Sequence, residues 1–172
     1  MAYSAHGGGF VAGSVDAHFE DRKCQTLGFR LQAQHSADYD LSGNCRYIAQ
    51  HAPCIIVSVD FRLAPEFPVP QQLYDYLKAY NWVWEHAEEL GGIQSQCFSI
   101  GASVGAGLAI SVALKLIEQG HKSRIAGVVS LAPSTLHPDY VPNEFKDIFV
   151  AYEDNKDGPL INREAMYVFY GE

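Results

Sequence analysis

The sequence predicts an α/β fold, a parallel sheet flanked by helices. Three observations carry that prediction. Short β-branched runs alternate with helix-periodic stretches between residues 53 and 131. Glycine or proline punctuates the junctions between them. At one junction a strand passes through a glycine-rich turn straight into a helix, the order expected of a parallel sheet.

Residues 16–24 and 45–51 have helical character, while the stretch between them has weak periodicity and is read as atypical, about 25–44. Residues 53–60 (P-C-I-I-V-S-V-D) are a compact apolar run, the mark of a buried parallel strand. Three prolines at 65, 68 and 70 preclude a long helix or central strand there. From Gln71 to about Leu90 the apolar residues Leu73, Leu77, Tyr80 and Trp84 recur at three- and four-residue steps, and Gly91-Gly92 ends the helix. A strand over 96–100, a small-residue helix over 104–119 with Gly120 as its C-cap, and a strand over 125–131 follow. After Pro133 the composition turns aromatic and acidic. Short helices near 142–152 and 162–170 are expected, with about 139–172 forming a cap-like segment of a single domain.

The chain has 172 residues, enough to bury a core, and 48% hydrophobic residues exclude a disordered chain. A net charge of −8 argues against nucleic acid or an anionic membrane as partner. No run of eighteen apolar residues predicts a membrane span. The first five residues carry no basic or long apolar signal region, so a cytoplasmic location and reduced thiols at Cys24, Cys45, Cys54 and Cys97 are expected. No cysteine or histidine cluster has metal-site spacing, and neither metal nor cofactor is expected.

Two motifs carry chemistry. Gly101-Ala102-Ser103-Val104-Gly105 fits G-x-S-x-G between a predicted strand and a predicted helix. A serine on so sharp a turn needs small neighbours, and Gly101, Gly105, Ala106 and Gly107 supply them. Its hydroxyl then projects at a helix N-terminus, where the next backbone N–H can meet an oxyanion. Upstream, His6-Gly7-Gly8-Gly9-Phe10 is a glycine loop able to turn several amides toward one point.

With the segment Val57 to Pro68, these blocks make the chain resemble the hormone-sensitive-lipase-like branch of the α/β-hydrolase fold. The middle block is similar to the family's D-Y-R-L-A-P-E segment, with Phe61 in the tyrosine's place. The resemblance implies an incomplete α/β-hydrolase fold with a partial helical cap. It implies a serine carboxylesterase acting on a small-molecule ester, with Ser103 as nucleophile. Gly7, Gly8 and Val104 would be the oxyanion donors and His6 the residue that orients the loop. Asp60, Arg62 and Glu66 are read as braces.

The chain departs from that family in four respects. Ala102 and Val104 replace the usual acid and alanine of the elbow, and Val104 narrows the acyl side. The 25–44 stretch looks added: excising most of it would join Lys23-Cys24 to Cys45, as a retained intron or a misplaced exon edge would explain. The sequence starts at the oxyanion loop. It also reads as stopping before the catalytic acid and histidine. His121 and His137 are read as surface or loop residues, and Asp139, Asp147, Asp154 and Asp157 as solvated charges. Tyr74, Tyr76, Tyr80, Trp82 and Trp84 are expected to pack the core. The aromatics from Tyr140 to Tyr170 would pack a cap or line a pocket. Two alternatives stand beside the esterase: a catalytically dead relative that binds a small hydrophobic ligand, and a gene-model fragment without function of its own.

Overall fold

The computed structural model describes residues 1–11, 24–27, 42–159 and 161–170. Five strands, β1 (Ala2–Ala5), β2 (Cys24–Leu27), β3 (Ile56–Val59), β4 (Phe98–Ala102) and β5 (Gly127–Leu131), form one sheet in the order β2-β3-β1-β4-β5. Every pairing is parallel. The chain divides into two compact units, Met1–Pro133 and Ser134–Glu172.

Alternation along the strands assigns the two faces of the sheet. Tyr3, Ala5, Val57 and Val59 join one buried cluster with residues of α2 (Gln71–Glu85) and α3 (Val104–Glu118). Tyr76, Ala79, Tyr80 and Val83 form the buried stripe of α2 at helical spacing. Leu108, Ala109, Val112 and Leu116 do the same for α3. The opposite face receives α1 (Ser42–His51), whose Cys45 and Ala49 pack with Ile56. A short polar thread crosses that face: the Ser58 hydroxyl donates to Cys45 Sγ at 3.3 Å, and the thiol donates to Ser4 Oγ at 3.5 Å. Cys45, Cys54 and Cys97 are free thiols.

The end of α3 shows why glycine stands where it does. Gly120 has φ +76°; its N–H reaches the Ile117 carbonyl at 3.0 Å, and the His121 N–H reaches Leu116 O at 2.7 Å. That pair of bonds satisfies carbonyls the helix would otherwise orphan.

Several expectations change. Residues 16–23 lie outside the described residues, but Cys24, read as a helix end, opens strand β2 instead. β2 pairs along the edge of β3 that faces away from β1, and this pairing satisfies backbone groups that a weakly periodic segment cannot satisfy within itself. Helix α1 begins at Ser42, three residues before the expected start. Residues Ala2–Ala5, given no element in the sequence reading, form the central strand, flanked by β3 and β4. Helix α2 stops at Glu85, and turns carry the chain on to Gly91.

The second unit, taken by itself, contains 3₁₀ turns at Pro138–Tyr140 and Asn143–Ile148 and helices α4 (Ala151–Asp154) and α5 (Arg163–Tyr170). Glu153 pairs with Lys156 and Arg163, each at 2.6 Å. Tyr152 lies between the Phe149 ring, at 5.7 Å, and the Tyr167 ring, at 6.2 Å. Phe145, Ile148, Val150, Ile161 and Val168 are exposed.

Candidate active site

Strand register brings the two motifs together. Ala5 pairs with Val59 on one side and Gly101 on the other, so β1, β3 and β4 run out at the same carboxyl edge, into His6, Asp60 and Ser103. That edge is where open parallel sheets present their loops to ligands.

Ser103 sits between β4 and α3 with φ 55° and ψ −124°. An L-residue held there carries about 1–3 kcal/mol of strain, so its surroundings must over-determine it. They do. Its N–H donates to Leu131 O at 3.0 Å, and its carbonyl accepts from Ala106 and Gly107 at 3.0 and 3.2 Å. A Cβ on Gly101 would overlap the Gly105 carbonyl, and one on Gly105 would overlap the carbonyl oxygens of Ala5 and His6. The small residues are therefore demanded by backbone approach, which binds the first turn of α3 to the end of β1. The Ser103 side chain makes no capping bond to α3, although serine is a favoured cap. Val104, the first residue of α3, is buried.

Gly7 lies against the elbow. A Cβ there would stand 3.3 Å from Ala102 O and 3.4 Å from Ser103 Cβ. Gly8 and Gly9 have φ 110° and 64°, and Phe10 follows at 66°, so the loop turns through three consecutive left-handed residues. It is closed by Val11 N–H to Gly8 O at 3.1 Å and tied to the proline-rich segment by Ala64 N–H to Phe10 O at 2.9 Å.

His6 is buried and stacked on Phe61, with ring centroids 4.1 Å apart and planes 9° from parallel. Its Nδ1–H donates to Gly7 O at 2.7 Å, and Nε2 lies 3.8 Å from Asp60 Oδ1. Burial lowers its pKa from the ordinary 6.5, outweighing the opposing bond to Gly7. The neutral ring with hydrogen on Nδ1 is the form that fits these contacts. A planar peptide joins the Gly7 carbonyl to the Gly8 N–H, and the two point in opposite directions. A ring that fixes the carbonyl also fixes the amide.

Arg62 forks onto Asp75, with Nε to Oδ2 at 2.8 Å and Nη2 to Oδ1 at 2.6 Å, and its guanidinium lies 4.7 Å from the Phe67 ring centroid. Burial would raise the Asp75 carboxyl, but bonds from Arg62 and Gln71 overcome this and hold it below its ordinary range. Asp75 was not singled out in the sequence; its spacing from Arg62 gives no signal until α2 is folded against β3. Glu66 is exposed.

The other titratable candidates are placed differently. His121 is exposed beyond α3. His137 accepts the Asp139 N–H on Nδ1 at 3.1 Å, and Asp139, Asp147, Asp154 and Asp157 are exposed. Among the described residues no cluster of three or more His, Cys, Asp or Glu side chains could hold a metal ion. No helix among them is long and apolar enough to cross a membrane.

The family model described as α/β hydrolase fold matches residues 35–171. The chain belongs to the α/β-hydrolase family. A versiconal hemiacetal acetate esterase from Dothistroma septosporum is 34% identical over 172 residues, covering 99% of this chain and 45% of the relative. Another from Emericella nidulans is 36% identical, covering 99% of this chain and 50% of that protein. A hyperthermophilic esterase from the archaeon Pyrobaculum calidifontis superposes with a TM-score of 0.73 at 25% identity, over 99% of this chain and 45% of its own. The chain thus spans about half the length of the curated relatives it matches.

Proposed function

We propose that the protein carrying these residues is a serine-dependent carboxylic ester hydrolase, with Ser103 as its nucleophile. The observation that carries the reading is the strained Ser103 on a strand-to-helix turn, packed against Gly7 of a glycine loop. Ser103 Oγ attacks the ester carbonyl carbon, and the carbonyl electrons move onto oxygen. The N–H groups of Gly7, Gly8 and Val104 stabilise that oxyanion, the last with the α3 dipole behind it. Collapse expels the alcohol and leaves an acyl-serine, which water hydrolyses to release the acid and restore Ser103. His6 orients the loop: its bond to Gly7 O aims the Gly8 amide, and its Nδ1–H is already committed.

The general base and its acid are proposed to lie outside residues 1–172. A triad histidine gives its Nδ1–H to an acid and keeps Nε2 bare to take the serine proton. His137 has the reverse arrangement, Nδ1 accepting from Asp139 N–H, and His121 is exposed beyond the helix end.

For the substrate, the two fungal relatives, both versiconal hemiacetal acetate esterases, point to an acetate ester. The test is hydrolysis of p-nitrophenyl acetate, butanoate and decanoate by the protein carrying residues 1–172. Acetate should be preferred, and Ser103→Ala should reduce turnover at least about 10³-fold. Equal rates for wild type and Ser103→Ala would sink the proposal.

A further inference from the structure

We propose that Tyr76 is a positioning residue for this site: its buried hydroxyl ties β1 to β4 and thereby sets the separation between the glycine loop and Ser103. The inference rests on the reading of Gly7, Gly8 and Ser103 given above.

Tyr76 comes from the middle of α2 and is fully buried. Its hydroxyl lies 2.9 Å from Tyr3 O on β1, 3.0 Å from Ser99 Oγ on β4 and 3.3 Å from Ile100 O on β4. A phenol has one hydrogen to give and lone pairs to receive. The arrangement that satisfies all partners has Tyr76 O–H donating to Tyr3 O, shared with Ile100 O, while Ser99 O–H donates to Tyr76.

Tyr3 and Ser99 are register partners. Tyr3 precedes His6 by three residues and Ile100 precedes Ser103 by three, so the hydroxyl clamps the two strands at equal distance from their reacting ends. At a strand rise of about 3.3 Å per residue, the clamp lies roughly 10 Å below the site.

A phenylalanine would fill the same space in the Tyr3–Tyr76 ring contact, whose centroids are 4.5 Å apart. Packing alone therefore does not call for a hydroxyl, which is costly to bury unless every bond is made. Tyr80, one turn on, sends its hydroxyl to Cys97 O at 3.2 Å and Arg124 O at 3.1 Å, at the opposite end of β4. Burial pushes the Tyr76 phenol far above its ordinary pKa, so it remains a donor across the working pH range.

The experiment is Tyr76→Phe in the protein carrying residues 1–172, with two readouts. Amide hydrogen exchange at Val11 and Ser103, whose N–H groups bond to Gly8 O and Leu131 O, should speed up about tenfold or more, while Leu116, buried in α3, stays protected. The kcat for the acetate ester, taken well below the melting temperature, should fall about tenfold with KM within about twofold, because misplacement costs the reacting geometry more than ground-state binding. A lower melting temperature with unchanged exchange and unchanged kcat would reduce Tyr76 to core packing and overturn the proposal. Exchange decides the matter even if no ester is hydrolysed, so failure of the esterase reading stays separate. Should Tyr76→Phe fold poorly, Tyr76→Phe/Ser99→Ala removes the second hydroxyl as well. It should regain stability while Val11 and Ser103 still exchange fast; regained protection at both amides would refute the clamp.

Discussion

Strands β3 and β5 are built from the same kinds of residue, I-V-S-V and G-V-V-S-L, yet they live in different surroundings. Every residue of β3 is buried, between α1 on one face and the α2–α3 layer on the other. In β5, Val129 is 45% exposed and Leu131 56%. Both strands nonetheless serve the candidate site. β3 leads to Asp60 and Phe61, which flank His6; β5 supplies Leu131 O, which holds the Ser103 N–H. The elbow is thus braced on one side by close-packed backbone and on the other by hydrogen bonds from a more exposed strand, Ser103 N–H to Leu131 O and Ser130 O–H to Ala106 O. Identical strand vocabulary says nothing about cover; cover comes from neighbouring elements.

The largest effect should come from the braced side. Gly105→Ala places a methyl inside the Ala5 and His6 carbonyls, and backbone cannot yield as a side chain does. A loss of about 3 kcal/mol or more is expected in a denaturant melt, enough to unfold a marginal domain. A loss below about 1 kcal/mol would mean that α3 can back away from β1 and that the bracing is slack.

Paired truncations measure the contrast itself. Ile56→Ala, at a site with no exposure, should cost about 2–4 kcal/mol. Val129→Ala, at a half-exposed site, should cost less than about 1 kcal/mol. Equal costs in parallel thermal melts would show that β5 is covered in solution.

Acid titration gives smaller effects at two identified groups. The Asp75 carboxyl sits below its ordinary pKa, so the folded state binds that proton less readily than the unfolded chain. Its contribution is complete above about pH 4 and disappears as pH falls through the folded value. The stability gap between wild type and Asp75→Asn should therefore close in strong acid. His6 is likewise lowered, from 6.5, by burial. Stability should decline as pH drops below about 6.5, and His6→Gln should remove that part of the slope. A His6 that titrates at or above its ordinary value by NMR would contradict the buried neutral ring.

The sequence disclosed the local geometry of the candidate site better than the sheet around it. Ser103 and Gly7 were legible because a left-handed serine and a backbone approach leave few residue choices, and those choices appear as glycines at fixed spacing. The end of α3 was legible for a similar reason, at Gly120, whereas α2 stops at Glu85, ahead of the Gly91-Gly92 pair read as its end. β1 was not: A-Y-S-A has no β-branched residue, and its central place follows from pairing with β3 and β4. β2 lies in a stretch whose periodicity gives no strand signal, since an edge pairing depends on the partner already in place. Tyr76 was read as core, which its ring is. That its hydroxyl reaches both site-bearing strands depends on the distance from α2 to the sheet, a quantity no local pattern encodes.

We propose above that Ser103 is an activated nucleophile. It is tested most directly by treating the folded protein carrying residues 1–172 with a fluorophosphonate and measuring its intact mass, with peptide mapping of any adduct. One phosphonyl group per chain is expected, on Ser103, and none on Ser103→Ala. A folded wild-type protein that gains no adduct, or a Ser103→Ala variant that gains the same one, would contradict it.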